Sequence, residues 1–228
     1  MVESDEEQLE LIKKWWEENG TSLVTAIVLA LGVTFGYRAW EDNVRETAEA
    51  ASAKYENLVQ AAAGAADENM RATAESLGAE LKQDYADSTY AIFAALHLAK
   101  TAVEQGDLDK AQAELEWARS QNPALNVDTL VRMRLARVMV AKGDPTAALS
   151  YIQNYEPASG QVSSWEEVRG DIFVALGDDA NARASYQRAL ENLGEGQSKP
   201  ILELKLADIP LQGGPVSPAD AEGTPDAT

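Results

Sequence analysis

The hydrophobic pattern of this chain changes sharply near its beginning. A polar, acidic stretch is followed by residues 19–37, which contain no charged side chain. As an α-helix with a rise of ~1.5 Å per residue, this run spans about 28 Å, close to the ~30 Å hydrocarbon core of a bilayer. The run is flanked by Trp15 and Trp16 before it and by Tyr37 and Trp40 at its end, and membrane interfaces favour such aromatic residues. The pattern predicts a transmembrane anchor at residues 19–40, preceded by a short segment at residues 1–18.

Two other interpretations of residues 19–40 fit less well. A surface helix of a soluble domain has a polar face, which interrupts its apolar run with a charge every few residues. A secretory signal peptide has a basic start and a cleavage site between small residues. Here seven acidic residues precede the run, and the aromatic and charged sequence FGYRAWED ends it. The sequence therefore favours a membrane anchor.

The flanking charges do not settle the orientation of the anchor. Lys13 and Lys14 on one side balance Arg38 and Arg45 on the other, and acidic residues contribute little to the positive-inside rule. The short N-terminal segment favours translocation of the larger C-terminal part.

Within the anchor, Gly32 and Gly36 form a GxxxG pattern. Small residues at this spacing let two membrane helices approach closely, which predicts a lateral helix partner. Glycine is also common in membrane helices in general, so the pattern does not name that partner.

Beyond the anchor, the chain repeats one helical pattern at residues 98–123, 135–160 and 169–194. Each segment contains a Gly-Asp pair, and successive pairs are 37 and 34 residues apart. Counted from the glycine, the shared positions are a small residue seven before, an alanine five after and a large residue nine after. In chain order these residues are Ala99, Gly106, Ala111 and Leu115; Ala136, Gly143, Ala148 and Ile152; and Gly170, Gly177, Ala182 and Tyr186.

These positions have physical roles in a helix–turn–helix unit. The glycine ends the first helix in a left-handed conformation, and the aspartate caps the second helix. Small residues let the two helices approach closely, and the large residue fills the space between neighbouring pairs. The pattern resembles the tetratricopeptide repeat, although Ala102, Met139 and Val174 stand where that family favours tyrosine. We expect a divergent tetratricopeptide-repeat-like α-solenoid.

Further helices are expected on both sides of the repeats. Residues 46–64 and 68–88 predict a helical pair without the Gly-Asp signature, as is common in terminal repeats, and residues 199–209 predict a closing helix. Residues 210–228 are acidic and rich in Pro and Gly, which predicts a disordered tail. The predicted protein is all-α, with a single N-terminal transmembrane helix, a repeat domain at residues 41–209, and the tail.

Composition narrows the functions that are open to this chain. The net charge of −19 repels nucleic-acid phosphates, so we expect no nucleic-acid partner. The absence of cysteine removes disulfides and thiolate chemistry. The single histidine, His97, stands at a helical position typical of packing, and the acidic pairs Glu166-Glu167 and Asp178-Asp179 are typical of helix caps and first turns. No nucleophile–base set can be assembled, so we expect neither an enzyme nor a bound metal or cofactor.

The order of features also carries a family resemblance. Its most telling stretches are EEQLELIKKWWEENG, GYRAW, STYAIFAALHLAK, NVDTLVRMRLARVMVAKGD and the final LELKLADI. Over residues 5–209 this order resembles the YfgM-type family of Gram-negative bacteria, the ancillary subunits of the SecYEG translocon. The resemblance implies an inner-membrane protein with a cytoplasmic N-terminus and a periplasmic repeat domain. It further implies association with SecYEG and the periplasmic chaperone PpiD, a role in handing exported proteins to chaperones, and no catalytic residue.

Two functions remain open at this point. In the first, the anchor holds the repeats near the channel exit, where their surface binds a partner or a client polypeptide. In the second, the chain is a membrane-anchored periplasmic adaptor for cell-envelope assembly that does not depend on the translocon. Strict dependence on residues 1–40 would favour the first.

Overall fold

The computed structural model describes residues 3–64, 66–194, 196 and 198–210. Within these residues the chain forms α-helices and no strand, which confirms the all-α prediction. The helices are α1 (Glu3–Ala63), α2 (Glu68–Asp84), α3 (Thr89–Glu104), α4 (Leu108–Ser120), α5 (Leu125–Ala141), α6 (Pro145–Ile152), α7 (Val162–Leu176), α8 (Asp179–Glu191) and α9 (Pro200–Asp208), with a 3₁₀ turn at Ser159–Gln161. The predicted tail, apart from Pro210, lies outside the described residues.

Helix α1 passes without a break through the predicted anchor and the helix predicted at residues 46–64. Neither Gly nor Pro occurs in residues 37–63. Arg45 pairs with Asp42 at 3.0 Å and with Glu49 at 3.8 Å, the i,i+3 and i,i+4 contacts that support a helix. The helix predicted after the anchor is therefore the end of α1 and not a separate element.

Among the described residues, α1 is the helix long and apolar enough to cross a membrane, with a mean hydropathy of 1.6 in its most apolar window. Large apolar side chains of this segment, such as Ile27, Leu31 and Phe35, are at least half exposed. Exposed apolar side chains on this scale are stable in lipid and not in water. The segment therefore fits a membrane anchor.

The structure divides into two units, Met1–Ala53 and Lys54–Thr228. In the second unit the helices form three hairpins, α3–α4, α5–α6 and α7–α8, while α2 packs against α3 and α9 against α8. Small and branched apolar residues fill the space within and between the hairpins. Three clusters of buried side chains result, centred on Leu115 and Leu135, on Ile152 and Ile172, and on Tyr186.

Each hairpin turns at its Gly-Asp pair. The glycines have φ angles in the left-handed region, where an L side chain is strained: +78° at Gly106, +88° at Gly143 and +73° at Gly177. The side chains of Asp107, Asp144 and Asp178 each accept a hydrogen bond from the backbone N–H three residues on, at 2.9, 2.9 and 3.1 Å. The glycine stops one helix and the aspartate starts the next.

The second hairpin departs from the repeated pattern. Helix α6 already ends at Ile152, so Tyr155 lies beyond it. The Tyr155 ring packs 5.2 Å from the ring of Trp165, and the guanidinium of Arg132 lies 4.2 Å from the Tyr155 ring centroid. At this position, twelve residues after the repeat glycine, the other two repeats have Ala118 and Ala189, which lie within α4 and α8. A small residue is needed only where the helix continues, which explains why the second repeat accommodates Tyr155.

A candidate interaction surface on the repeats

The repeat-signature residues are structural in their placement. The small residues of the signature are buried at the contact between paired helices: Ala99, Ala111, Ala136, Ala148, Gly170 and Ala182. Together with the left-handed turns at Gly106, Gly143 and Gly177, they set the hairpin geometry. The first helices of the first two hairpins are α3 and α5.

A groove of about 410 Å³ lies between those two first helices. We call it the α3–α5 groove. Its walls are aliphatic and its rim is charged. The wall residues are Ala99, Val103, Leu108, Leu115, Val138 and Ala141, and the rim residues are Lys100, Glu104, Arg134 and Arg137. Val103 is 46% exposed, so apolar surface is open to an incoming side chain.

The cations of the rim are poorly neutralised. Lys100 meets Glu104 at 3.4 Å, but both side chains are more than half exposed, and such pairs contribute little. Arg137 lies 4.0 Å from Asp171. That carboxylate already pairs with Lys205 at 2.7 Å, so it neutralises little of the charge of Arg137.

Arg134 differs from the other rim residues in its hydrogen-bond and charge partners. It is half-buried, and one guanidinium nitrogen donates to the Leu96 carbonyl oxygen at 3.4 Å. No carboxylate lies within 4.0 Å of it in the described part of the chain. Burial lowers the pKa of Arg134, and the charge of Arg137 lowers it further. The guanidinium stays charged, so this site would gain from an added anion.

An aromatic pocket of about 290 Å³ adjoins the groove and shares Lys100 and Arg134 with it. The Tyr55 ring lies 6.0 Å from Phe93 and 5.9 Å from His97, centroid to centroid. Burial lowers the pKa of His97, as do the charges of Lys100 and Arg134. His97 is therefore neutral at pH 7 and takes part in aromatic packing.

A broader cleft of about 1010 Å³ lies beside the loop that follows α6. The arginine that lines it, Arg169, is paired, because Glu166 accepts from Arg169 and from Arg188, each at 2.9 Å. The cleft therefore lacks the unpaired cation that distinguishes the α3–α5 groove.

Three of the four acidic residues singled out in the sequence are held in structural contacts. Besides the two arginines on Glu166, Glu167 pairs with Lys205 at 3.0 Å and Lys199 at 3.4 Å, and Asp178 caps α8. Within the residues the structure describes, no group of three or more His, Cys, Asp or Glu side chains is placed to hold a metal ion.

Gly32 and Gly36 lie one helical turn apart on the exposed surface of α1. A Cβ atom at either position would meet no heavy atom within 4 Å. No described part of this chain therefore obstructs either glycine, and association with another helix at this pair stays a prediction.

The sequence alone does not reveal the α3–α5 groove, because its rim joins residues more than thirty positions apart. A signal was nevertheless present. Six residues before the repeat glycines stand Lys100, Arg137 and Asp171, one position on each first helix. The charge at that offset is positive on α3 and α5 and negative on α7.

Comparison with known proteins agrees with this architecture. The family described as a tetratricopeptide repeat-like domain matches residues 13–210. Three similar proteins are each named "Ancillary SecYEG translocon subunit". The protein of Escherichia coli (strain K12) is 27% identical over 92% of this chain and 99% of its own length. That of Haemophilus influenzae is 29% identical over 90% and 97%, and that of Aggregatibacter actinomycetemcomitans is 32% identical over 90% and 97%.

No solved structure matches the chain. The family match covers most of the sequence, and the named relatives align over nearly their whole lengths. The chain belongs to the tetratricopeptide repeat-like family that includes the ancillary SecYEG translocon subunits.

Proposed function

We propose that this chain is an ancillary subunit of the SecYEG translocon. The observation that carries the proposal is the extent of similarity to relatives of that name, which takes in the anchor as well as the repeats. An unrelated adaptor with the same repeats would share the repeat domain and not the anchor.

The proposed protein is a membrane-bound scaffold. It sits in the bacterial inner membrane, with residues 1–18 in the cytoplasm, the anchor at residues 19–40 and the repeat domain at residues 41–209 in the periplasm. Confinement to the membrane raises the effective concentration of the repeats beside the channel exit without any added contact. The repeats there link the channel to periplasmic chaperones, PpiD among them, and assist the handover of exported polypeptides. This role is a non-catalytic one.

Purification from membranes in a mild detergent tests the proposal, with co-purifying proteins identified by mass spectrometry. The matched control is the same chain with residues 19–40 replaced by an unrelated transmembrane helix. Translocon subunits and a periplasmic chaperone should accompany the native chain, and the translocon subunits should be lost from the control. Envelope-assembly proteins in their place, retained by the control, would overturn the proposal in favour of a translocon-independent adaptor.

A further inference from the structure

We infer that the α3–α5 groove binds a polypeptide segment in which an aspartate or glutamate stands next to aliphatic side chains. The inference rests on the proposed role of the repeats as a binding surface and adds the chemistry of what they bind. Its basis is the combination of aliphatic walls and a rim whose cations are poorly neutralised.

The distribution of charge in the chain favours an anionic group at Arg134. Asp and Glu outnumber Lys and Arg by 38 to 19 in this chain, and most cations of the repeat domain lie within 4.0 Å of a carboxylate. Arg71, Arg119 and Arg183 have no such partner among the described residues either, but they do not line the α3–α5 groove. Lys82 lies 2.6 Å from Glu114, and Lys54 lies 2.7 Å from Glu80. In so acidic a chain, a half-buried Arg134 without a carboxylate among the described residues leaves a place for one supplied from outside.

The groove also has the geometry to receive a carboxylate beside an aliphatic side chain. Arg134 and Arg137 stand one helical turn apart on α5, and both line the same groove as Val103 and Val138. A guanidinium presents a planar fork of donors that matches a carboxylate. The wall beside it accepts an aliphatic side chain, whose burial adds to the affinity. A segment that carries both groups in sequence satisfies the rim and the wall together.

An anionic lipid headgroup is a less suitable occupant. A bilayer surface extends over the whole domain and would meet the negative charge of the chain as well as the rim. A peptide segment brings only one or two charges, and it brings them to the cationic rim alone. The observations therefore favour a polypeptide.

Fluorescence anisotropy with the full chain in a neutral detergent tests the inference. The probe is a short labelled peptide in which leucine and glutamate alternate, and its partner is the same peptide with glutamine for glutamate. The glutamate peptide should bind at least about tenfold more tightly, as expected for a charge-assisted hydrogen bond. Arg134→Gln should remove that difference, and Arg137→Gln, at a more exposed position, should reduce it without affecting folding.

Arg119→Gln is the matched control, because Arg119 is an exposed arginine outside the groove. It should leave both affinities unchanged. Equal binding of the two peptides, or an equal loss in Arg119→Gln and Arg134→Gln, would overturn the inference. So would a soluble short-chain phosphatidylglycerol that displaces the peptide and loses its own binding in Arg134→Gln, which would assign the groove to lipid phosphate.

The peptide assay contains no translocon, so the two proposals fail separately. Absence of peptide binding with intact co-purification would remove only the groove assignment. Peptide binding without co-purification of translocon subunits would remove only the proposed function.

Discussion

Gly170 in α7 and Tyr186 in α8 pack so closely that a Cβ atom at position 170 would overlap the tyrosine ring. The first two hairpins have alanine at the position of Gly170, paired with Leu115 and Ile152 at the position of Tyr186. The third hairpin therefore keeps the same contact with a smaller residue on one helix and a larger one on the other.

We expect Gly170→Ala to lower the free energy of unfolding by about 1–2 kcal/mol, measured by urea denaturation followed by circular dichroism. Overpacking costs ~1–3 kcal/mol, which outweighs the gain of up to ~1 kcal/mol from alanine in a helix. The ring cannot easily move, because Tyr186 is buried and its hydroxyl donates to Asp171 at 2.9 Å. Gly170→Ala should cost less in a Tyr186→Leu background. An equal cost in both backgrounds would refute this packing explanation.

The left-handed turn at Gly143, with φ of +88°, allows a second test. Gly143→Ala should destabilise the protein by ~1–2 kcal/mol, since an L side chain is strained in this conformation. Gly160→Ala is the control, because Gly160 is not in the left-handed region and has open space around it. Equal thermal stability of the two variants would contradict the role given to Gly143.

Acid sensitivity is expected at the contact between α7 and α9. Burial by itself raises the pKa of Glu167, but the hydrogen bond and charge of Lys205 and the charge of Lys199 outweigh it and hold that pKa below its ordinary value. A lowered carboxyl pKa contributes stability above the unfolded pKa, about 4.3–4.5, and that contribution is lost as pH falls through the folded value. Glu167→Gln should therefore flatten the loss of stability between about pH 5 and pH 3.

The same substitution should lower stability at pH 7, because it leaves Lys199 and Lys205 without their shared partner. Glu156→Gln, at an exposed position, provides the comparison. If the stability of Glu167→Gln fell with pH as steeply as that of the wild type, this contact would not contribute to the acid sensitivity.

The GxxxG pair gives a prediction about association in the membrane. Replacing both Gly32 and Gly36 with leucine keeps the anchor apolar and fills the surface that a second helix would approach. We expect a severalfold decrease in translocon subunits that co-purify with the chain, with its membrane insertion unchanged. The matched control is leucine at Ala30 and Thr34, which have the same spacing and lie exposed on the opposite face of α1. Unchanged co-purification in the glycine variant would rule out this face of the helix as the contact with the translocon.

The sequence predicts the repeats well because their turns depend on local chemistry. A left-handed glycine followed by a capping aspartate can be recognised from two adjacent residues, and Gly106, Gly143 and Gly177 were all located in this way. The sequence does not show where α6 ends, and the packing of Tyr155 against Trp165 beyond that end is a tertiary contact. The continuity of α1 is likewise hard to predict, because the composition changes after Trp40 while helix propensity continues across that change.

The α3–α5 groove cannot be predicted from the sequence for a related reason. Arg134 and Leu96 are separated by 38 residues, and only the packing of α3 against α5 brings the guanidinium to that carbonyl at 3.4 Å. Neutralisation is a property of the folded surroundings, so a sequence shows which residues carry charge but not which charges lack a partner. Offsets within the repeat place Lys100 and Arg137 on equivalent positions without revealing their pairing.

The most direct test of the central claim is crosslinking in living cells from a photoreactive amino acid at Val33, which is 73% exposed and follows the first glycine of the pair. The proposed function predicts crosslinks to SecYEG subunits from this position, and none to them from Leu204, an exposed residue of α9. Crosslinks from Val33 to other membrane proteins, without any SecYEG subunit, would contradict the assignment to the translocon.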